Sequence, residues 1–314
     1  MKVAFIDYIF ENKDLIKLSG CRFNISNPFK NQDELIAYVK GCDILCGRDQ
    51  FVKWDAHVID SLPDLKCIIT RSTGYDHIDW KHAGSKGIPV YNVPGYGRNT
   101  VAEFAMGLAI QVSRRIHEAA HRYQNLDYSI DGLMGLDLKG KTAGILGTGA
   151  IGQEMIRICN GFSMNVLAYD KLKNAQAAAT QNFRYVSLRE LFRKSDLISI
   201  HLPLTEETHH LINKDTLSLL KPTAIIINTG RGEIVDTEAV IEALRENRLF
   251  GVGLDTIENE RKKKYDFTGL NAVVTTHMAW YTEEAIARIT QISLRNIKSF
   301  MNGDYTNCIN QAYL

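Results

Sequence analysis

Short apolar runs alternate with polar segments of helical period along almost the whole chain. Runs of this length and composition are typical of β-strands, and their alternation with helical segments predicts parallel βα units. In the N-terminal third, the predicted strands are KVAFID, CRFNIS, DILCGR, KCIITRS and IPVYNV, and the predicted helices are NKDLIKL, NQDELIAYVK, DAHVIDSL and IDWKHAGSK.

A long helix is predicted next, from Asn99 to about Tyr123, with Asn99 or Thr100 as the candidate N-cap. Apolar residues cover more than one face of this helix, which predicts burial on more than one side. A second series of βα units follows. Its predicted strands are KTAGILG, NVLAYD, DLISIHLP, AIIINTG, FGVGLD and AVVTTH, and the last predicted helix is EEAIARITQISLRNIKSFMNG.

Consecutive apolar positions, as in AIIIN, are typical of central parallel strands that helices cover on both faces. A chain of 314 residues is long enough for roughly two domains. We therefore predict an α/β fold with two doubly wound parallel-sheet lobes. Residues 1–98 and 285–314 would form one domain, and residues 99–284 would form a second domain inserted into it. The helix from Asn99 would be the crossover between them.

The balance of charged and apolar residues narrows the classes of function. Hydrophobic residues make up 45% of the chain and charged residues 23%, and the formal net charge is +1. Such a charge gives no overall basic field for nucleic acid or an anionic membrane, and the basic cluster Arg261–Lys264 is interpreted as a solvated loop. No uncharged apolar run reaches the ~18 residues of a membrane helix, and the N-terminal sequence lacks the apolar core of a signal peptide.

The six cysteines are scattered along the chain. Most of them lie in apolar runs, where a free cysteine acts as a small hydrophobic residue. Cys42 and Cys46 have no second ligand pair at metal-binding spacing, so no metal site is predicted. These features predict a reduced, cytoplasmic protein.

A glycine pattern, Gly147-x-Gly149-x-x-Gly152, stands directly after a predicted strand and directly before a predicted helix. In this context Gly147 permits a tight turn, Gly149 lets a pyrophosphate approach the backbone, and Gly152 lets helix and strand pack closely. The free amides at the helix start would meet the phosphate charge. Asp170 ends the next predicted strand, where an acid binds ribose hydroxyls and repels a 2′-phosphate. The pattern therefore predicts a Rossmann domain that binds NAD rather than NADP.

Three strand ends in the second series carry candidate chemistry. Arg231 follows one strand, Asp255 and Glu260 follow the next, and His277 follows the last. Strand ends of a doubly wound sheet line the ligand crevice, which favours a substrate site here. The planar fork of an arginine suits a carboxylate, although an arginine tied to a nearby acid would serve structure alone. A single histidine beside apolar residues is more often a core residue than a catalyst, so the hypothesis depends on the whole set.

Motifs over nearly the whole chain resemble those of the D-isomer-specific 2-hydroxyacid dehydrogenases. They occur in the family's order: RSTGYDHID, GIPVYNVPGYGRNTVAEFAMGL, GTGAIG…YD, HLPLTEET…LIN, NTGRGEIVDTEAVIEAL, GVGLDTIENE and TTHMAWYTEEA. The aromatic residues after His277 look most like the D-lactate and D-2-hydroxyisocaproate branch. Thr276 stands where the family usually has a proline before the histidine, and Arg261 stands where a proline usually follows the glutamate. These departures bear on substrate range more than on reaction type.

The resemblance implies an NAD-dependent oxidoreductase that reduces a 2-oxo acid to the (R)-2-hydroxy acid, with a flavodoxin-like substrate domain beside the Rossmann domain. Arg231 would hold the substrate carboxylate and polarise the carbonyl oxygen. His277 would donate a proton to that oxygen as hydride arrives, and Glu260 would hydrogen-bond the ring and favour its protonated form. Asp255 would meet the nicotinamide carboxamide.

The same resemblance implies further contacts with the two ligands. Contacts with the cofactor are implied for Ala150, Ile151, Leu202, Pro203, Thr208, Thr229, Gly230 and Arg231, in addition to the glycine loop and Asp170. Contacts with the substrate are implied for Thr73, Gly74, Tyr75, Tyr96 and Trp280, although core packing is an equal alternative for Tyr96. Three other histidines are interpreted as a packing residue and two surface residues rather than as catalysts or a metal pair, namely His201, His209 and His210.

Two other functions remain open from the sequence. The same scaffold could serve glycerate, hydroxypyruvate or phosphoglycerate, but a phosphorylated substrate would need further cations near the pocket. An NAD-sensing module of the corepressor kind would bind NADH with negligible turnover, and the complete acid–base set argues against it. A homodimer is predicted from the family and from the apolar helix that starts at Asn99.

Overall fold

The structure is a computed structural model that describes residues 1–6, 22–23, 29–48, 52–260 and 262–314. The predicted helix NKDLIKL, most of the predicted strand CRFNIS, and Arg261 lie outside the described residues. Two compact units are present: Met1–Tyr96 together with Thr282–Leu314, and Gly97–Tyr281.

In the first unit, the described strands form one parallel sheet: β1 Val3–Phe5, β2 Arg22–Phe23, β3 Ile44–Gly47, β4 Cys67–Thr70 and β5 Val90–Tyr91. Their order across the sheet is β2-β1-β3-β4-β5. Every neighbouring pair is parallel, so the chain has to cross over the sheet between strands. This order is that of the flavodoxin-like sheet, and the predicted fold is confirmed for this unit.

Both faces of this sheet are buried, which explains the continuous apolar runs in the sequence. Ala4 and Leu45 belong to the apolar cluster on one face, whereas Phe5 and Ile44 belong to the cluster on the other. Among the described residues of this unit, three short helices lie between strands: α1 Gln32–Val39, α2 Ala56–Asp60 and α3 Trp80–Ser85. Each of them begins at a side chain that accepts a hydrogen bond from a first-turn amide, which stabilises the helix start; these caps are Asn31, Asp55 and Asp79.

The second unit contains a larger parallel sheet, again counted over the described residues: β6 Thr142–Leu146, β7 Asn165–Tyr169, β8 Arg184–Tyr185, β9 Leu197–Ile200, β10 Ile225–Asn228, β11 Gly251–Leu254 and β12 Ala272–Val274. The strand order is β12-β11-β10-β9-β6-β7-β8. Numbered from β6, this is the Rossmann order 3-2-1-4-5-6 with one further strand, so the predicted fold is confirmed here as well. The two-residue strand β8 was not predicted.

Helices cover both faces of the second sheet. They are α4 Arg98–Ser113, α5 Ile116–Gln124, α6 Ala150–Gly161, α7 Ala175–Thr180, α8 Leu188–Lys194, α9 Lys214–Leu217 and α10 Thr237–Arg245, and the chain then returns to the first unit as α11 Glu283–Met301. Alternate strand residues again divide between two clusters: Leu146 and Ile226 lie on one face, Ile145 and Ile227 on the other. Among the described residues, no helix combines the length and the apolar character needed to cross a bilayer.

The prediction of one helix from Asn99 to about Tyr123 is wrong, because α4 and α5 are separate. Arg115 has a left-handed backbone conformation, with φ at 49°, between the two helices. A later segment of the chain causes the break. The amide of Leu136 donates to the carbonyl oxygen of Ser113, and Gly135, the residue before Leu136, lets the backbones of the two segments approach closely. The carbonyl group of Ser113 therefore accepts a tertiary hydrogen bond instead of one within a continuing helix. No local sequence pattern could indicate this contact.

The predicted cap of α4 is also wrong. The N-cap residue is Gly97, and no side chain caps the helix start. Asn99 lies inside the first turn and donates to Glu103, and Thr100 is buried. The helix starts earlier than its polar residues indicate because both of them serve contacts within the helix or the core.

α4 packs within its own unit, against α6, β10 and β11. Its apolar residues Met106, Leu108 and Val112 are buried there, whereas Phe104 and Ile110 are only partly buried. Gly253 of β11 permits this close packing, since a Cβ at that position would lie 2.8 Å from the Cβ of Leu108. Packing within the unit therefore buries much of the apolar surface of α4, and the homodimer stays a prediction.

Candidate active site

The glycine loop joins β6 to α6 at the carboxyl edge of the second sheet. Gly147 has φ at 93°, a conformation that residues with side chains avoid, and a Cβ there would lie 2.6 Å from the carbonyl oxygen of His201. A Cβ at Gly152 would overlap the carbonyl oxygen of Gly147. At Gly149, by contrast, a Cβ would meet no atom within 4 Å. Gly147 and Gly152 therefore shape the loop, and Gly149 leaves its outer side open.

Asp170 directly follows β7, and its carboxylate fixes the glycine loop. One oxygen accepts from the amide of Thr148 at 2.6 Å and from Oγ1 of Thr148 at 3.0 Å, and the other accepts from the amide of Leu172 at 2.9 Å. Oγ1 of Thr148 also lies 2.8 Å from the hydroxyl of Tyr185, on β8. A carboxylate offers about four acceptor positions, so Asp170 keeps capacity for one more donor.

The residues around this loop fit a dinucleotide. α6 begins at Gly149 without a side-chain cap, so its first amides are available to an anion. β6 and β9 are neighbours at the point where the strand order reverses, and this point is where doubly wound sheets bind nucleotides. Oγ1 of Thr229, at the end of β10, is buried without a hydrogen-bond partner. A polar group of a cofactor bound at this edge would give this hydroxyl a hydrogen-bond partner.

Arg231 lies just after β10 in an extended conformation. The turn before it is fixed by Asn228, which is fully buried at the end of the strand. Nδ2 of Asn228 donates to the carbonyl oxygen of Arg231 at 2.9 Å, and its Oδ1 accepts from the amide of Gly230 at 3.0 Å. The guanidinium of Arg231 donates to the carbonyl oxygen of Gly230 at 3.1 Å, and the side chain is partly exposed.

Gly232 brings the Arg231 segment against the segment that follows β11. A Cβ at Gly232 would overlap the backbone of Ile257 and Glu258, so only glycine fits at this position. Glu260 follows two residues later. The guanidinium of Arg231 and the carboxylate of Glu260 therefore belong to two segments in direct backbone contact.

Asp255 is fully buried at the end of β11 and organises the turn that carries His277. Its carboxylate accepts from Oγ1 of Thr275 at 2.6 Å and from the amides of Met278 and Ala279 at 2.9 and 2.8 Å. Its carbonyl oxygen accepts from the amide of His277 at 2.9 Å. A buried carboxylate is costly unless it is hydrogen-bonded, and here the turn supplies the donors. Asp255 therefore holds this turn in place.

His277 has a left-handed backbone conformation, with φ at 57°, which is uncommon for a residue with a side chain. Nδ1 of its ring lies 3.4 Å from Oε1 of Glu260, and the two side chains are 27% and 31% exposed. This distance is long for a hydrogen bond, as it often is at catalytic pairs before substrate binds. The two segments after β11 and β12 thus place an imidazole beside a carboxylate.

Trp280 closes the turn around His277. Nε1 of its indole donates to the carbonyl oxygen of His277 at 3.1 Å. Its ring meets that of Tyr281 edge to face, with centroids 5.4 Å apart and an angle of 70° between the planes. The indole is thereby fixed in direction, and Tyr281 is half exposed beside it.

The loop after β9 contains the other cofactor contacts implied by the sequence. Oγ1 of Thr208 donates to the carbonyl oxygen of Pro203 at 2.7 Å, so the loop closes on itself, and Leu202 packs against the apolar cluster below it. Nε2 of His201 lies 2.9 Å from Oγ of Ser199, and burial lowers the pKa of the His201 imidazole to about 4. The His201 ring is therefore neutral at pH 7, which agrees with a packing role.

In the first unit, the implied substrate loop follows β4. Oγ1 of Thr73 donates to the carbonyl oxygen of Val93 at 2.9 Å, and Oγ of Ser72 donates to that of Gly74 at 2.6 Å. Tyr96 is buried. These contacts give the loop a fixed backbone, as a ligand-binding loop would need.

Sequence reasoning missed Asn228, Thr148 and Gly232. Asn228 has a local signal, because it is the polar residue that ends an apolar strand directly before a glycine-containing turn. Gly232 has a weaker one, the second glycine of TGRG. The bond between Thr148 and Asp170 has none, since it depends on how two strand ends meet.

Comparison with known proteins agrees with this geometry. Residues 106–279 match the family described as "D-isomer specific 2-hydroxyacid dehydrogenase, NAD binding domain". The D-lactate dehydrogenase of Escherichia coli K12 is 37% identical over 283 residues, covering 84% of this chain and 85% of that protein. A glyoxylate reductase of Thermofilum pendens is 38% identical over 286 residues, covering 87% and 83%.

A solved structure of D-lactate dehydrogenase from Aquifex aeolicus, complexed with NAD and lactic acid, is similar to this chain with a TM-score of 0.83 and 30% identity, covering 96% of each chain. The chain belongs to the D-isomer-specific 2-hydroxyacid dehydrogenase family. It is an NAD-dependent oxidoreductase, and its activity is that of a 2-hydroxyacid dehydrogenase. The predictions of family, enzyme class and nicotinamide cofactor are confirmed.

Proposed function

We propose that the protein reduces a small 2-oxo acid to the (R)-2-hydroxy acid with NADH, and that Arg231, Glu260 and His277 carry the reaction. The observation that carries this proposal is the shared sheet edge. β10, β11 and β12 are neighbours, and their carboxyl ends lead in turn to these three residues. A bound dinucleotide would supply the hydride, and the residues of this chain orient the substrate and supply the proton.

Each of the three side chains has a distinct task in this proposal. The guanidinium of Arg231 binds the substrate carboxylate through parallel hydrogen bonds and thereby orients the carbonyl group. His277 donates a proton to the carbonyl oxygen from Nε2, because Nδ1 is the nitrogen beside Glu260. Glu260 fixes the orientation of the ring and stabilises its positive charge. In the oxidation direction, His277 takes the proton back.

Further residues are proposed to hold the two ligands. Asp255 holds the His277 turn, and its contact with the nicotinamide carboxamide remains a prediction. Cofactor contacts are proposed for Gly147, Gly149, Ala150, Ile151, Gly152, Asp170, Leu202, Pro203, Thr208, Thr229 and Gly230. Substrate contacts are proposed for Thr73, Gly74, Tyr75, Tyr96 and Trp280.

The proposed substrate is pyruvate or a longer aliphatic 2-oxo acid. Support comes from the relatives that bear the name D-lactate dehydrogenase and from the apolar indole of Trp280 next to the His277 turn. Glyoxylate or hydroxypyruvate is the second candidate, since a relative of equal similarity bears the name glyoxylate reductase.

A substrate panel tests the proposal. NADH oxidation would be followed with pyruvate, 2-oxoisocaproate, phenylpyruvate, hydroxypyruvate and glyoxylate. We expect the highest kcat/KM with pyruvate or 2-oxoisocaproate. A preference for glyoxylate or hydroxypyruvate would support the second candidate, and NADH binding without turnover of any of them would refute the proposed reaction.

A preference for NAD over NADP is also proposed, because the Asp170 carboxylate would repel a 2′-phosphate. Asp170→Asn keeps the shape of the side chain and removes the charge. We expect the kcat/KM ratio of NADPH to NADH to rise by about tenfold, which corresponds to ~1.4 kcal/mol of lost repulsion. Asp215→Asn, an exposed acid in α9, is the matched control and should leave the ratio unchanged. An equal ratio in the wild type and Asp170→Asn would contradict the assignment.

We further propose a homodimer whose interface includes the end of α5 and the segment that follows it. Large apolar side chains there are strongly exposed, from 66% to 87%: Tyr123, Leu126, Tyr128, Ile130 and Met134. Large exposed apolar side chains gathered in one short stretch of chain are typical of an interaction surface. Sedimentation should show a dimer for the wild type and a shift to monomer for Ile130→Glu combined with Met134→Glu. A wild-type monomer at assay concentration would contradict it.

A reducing, cytoplasmic location is the remaining proposal. The thiols of Cys67 and Cys159 are free and buried in the structure. Free buried thiols are typical of proteins from reducing compartments. Fractionation of the source cells with detection of the protein would test it.

A further inference from the structure

Three side chains outside the proposed acid–base set converge between the loop after β9 and the segment after β11. They are His209, His210 and Glu258, and their ligand atoms all lie within 4.8 Å of one another. Nε2 of His210 lies 3.0 Å from Oε1 of Glu258. The rings of His209 and His210 stack, with centroids 4.1 Å apart and 28° between the planes.

The backbone builds this cluster. Side chains of successive residues usually diverge, but the two imidazoles lie side by side because His210 has a left-handed conformation, with φ at 49°. This conformation is fixed on both sides, since the amide of His210 donates to the carbonyl oxygen of Glu233 and Nδ2 of Asn213 donates to that of His210, both at 2.9 Å. Glu258 is held by the close backbone contact with Gly232. The cluster is therefore a consequence of the fold.

Its chemistry selects a class of ligand. Two imidazole nitrogens and one carboxylate oxygen are the donors that Zn²⁺ and Cu²⁺ prefer, whereas Mg²⁺ and Ca²⁺ prefer oxygen ligands alone. His209 is exposed and the other two side chains are partly exposed, so solvent can reach the cluster and complete the coordination.

We propose that His209, His210 and Glu258 bind one divalent transition-metal ion of the Zn²⁺ class, with water in the remaining positions. The ion takes the place of the proton between Nε2 of His210 and Oε1 of Glu258, and the neutral ring then carries its single proton on Nδ1. The sequence pattern predicted no metal site because it presents His209 and His210 as a surface pair. Their third ligand lies 48 positions beyond His210 and is brought to them only by the fold.

Calorimetric titration of the full, tag-free chain with ZnCl₂ tests the proposal. We expect one Zn²⁺ per chain, and no binding of MgCl₂ under the same conditions. His209→Ala and Glu258→Gln should each weaken Zn²⁺ binding by about tenfold or more, because loss of a ligand costs at least as much as loss of a residue that supports one. The matched control is His82→Ala, since His82 lies 2.9 Å from Asp60 and offers one histidine and one carboxylate without a second ring.

Thermal unfolding without metal would show whether a variant has lost Zn²⁺ binding because it is misfolded. The wild type and the three variants should all have the same Tm. An identical Zn²⁺ isotherm for the wild type and His209→Ala would overturn the proposal. So would absence of binding to the wild type, or a loss of binding in His82→Ala alone. The proposal does not depend on the assignment of Arg231, Glu260 and His277, and assays of turnover do not enter its test.

Discussion

Replacement of His277 by alanine is expected to lower kcat for reduction of pyruvate by about 10²-fold or more. A general acid typically contributes 10²–10⁴-fold to the rate, and among the described residues the His277 imidazole is the one that lies beside Glu260 at this sheet edge. KM for pyruvate should change much less, because the substrate carboxylate is assigned to Arg231. Steady-state kinetics with NADH would give both constants.

The control for this variant is His57→Ala, an exposed histidine of α2. It should keep the wild-type kcat. NADH binding by both variants, followed by fluorescence, would show that the second unit remains folded. A kcat within a few-fold of the wild type in His277→Ala would contradict the role of proton donor.

Replacement of Arg231 by glutamine is expected to lower kcat/KM for pyruvate by about 10²-fold. Loss of one partner from a charged, hydrogen-bonded pair costs ~2–5 kcal/mol, and ~1.4 kcal/mol corresponds to tenfold. Arg231→Lys should recover only part of the loss, since an ammonium group keeps the charge but cannot offer two parallel donors. The dissociation constant for NADH should change less than kcat/KM in both variants, as measured by fluorescence titration.

Arg248→Gln is the control for charge alone. Arg248 is a surface residue paired with Glu246, and its loss removes one positive charge from the same unit. Its kcat/KM should equal that of the wild type. If Arg231→Gln behaved like Arg248→Gln, the assignment of Arg231 to the substrate carboxylate would be wrong.

The fold could be predicted because its signals are local. Consecutive apolar residues in β9 and β10 indicate strands buried on two faces, and Ile226 and Ile227 do face different clusters. The polar segments between strands have the period of helices. The position of Gly147 between a strand and a helix was enough to predict a turn that requires glycine. Its φ of 93° agrees with this prediction.

Features set by distant parts of the chain could not be predicted. The break between α4 and α5 depends on the contact of Leu136 with Ser113, and the sequence around Arg115 continues a helical pattern. The short strand β8 contributes the hydroxyl of Tyr185 to the glycine loop, but two residues are too few to give a strand signal.

The candidate site shows the same division. Arg231, Glu260 and His277 could be selected because parallel strands end at one edge of a sheet, so strand order alone groups the residues that follow them. The contacts that hold these three residues in place could not be predicted from the sequence. The three hydrogen bonds to Asp255 and the bond from the indole of Trp280 depend on the conformation of one turn, which includes the left-handed backbone of His277.

The most direct test of the central claim is the product of one reaction, carried out with pyruvate and NADH that bears deuterium at both C4 positions. Analysis of the lactate by chiral chromatography and mass spectrometry would report the configuration at C2 and the isotope there. We expect (R)-lactate alone, with one deuterium at C2 and none from solvent. Racemic or (S)-lactate, or lactate that takes its C2 hydrogen from water, would contradict it.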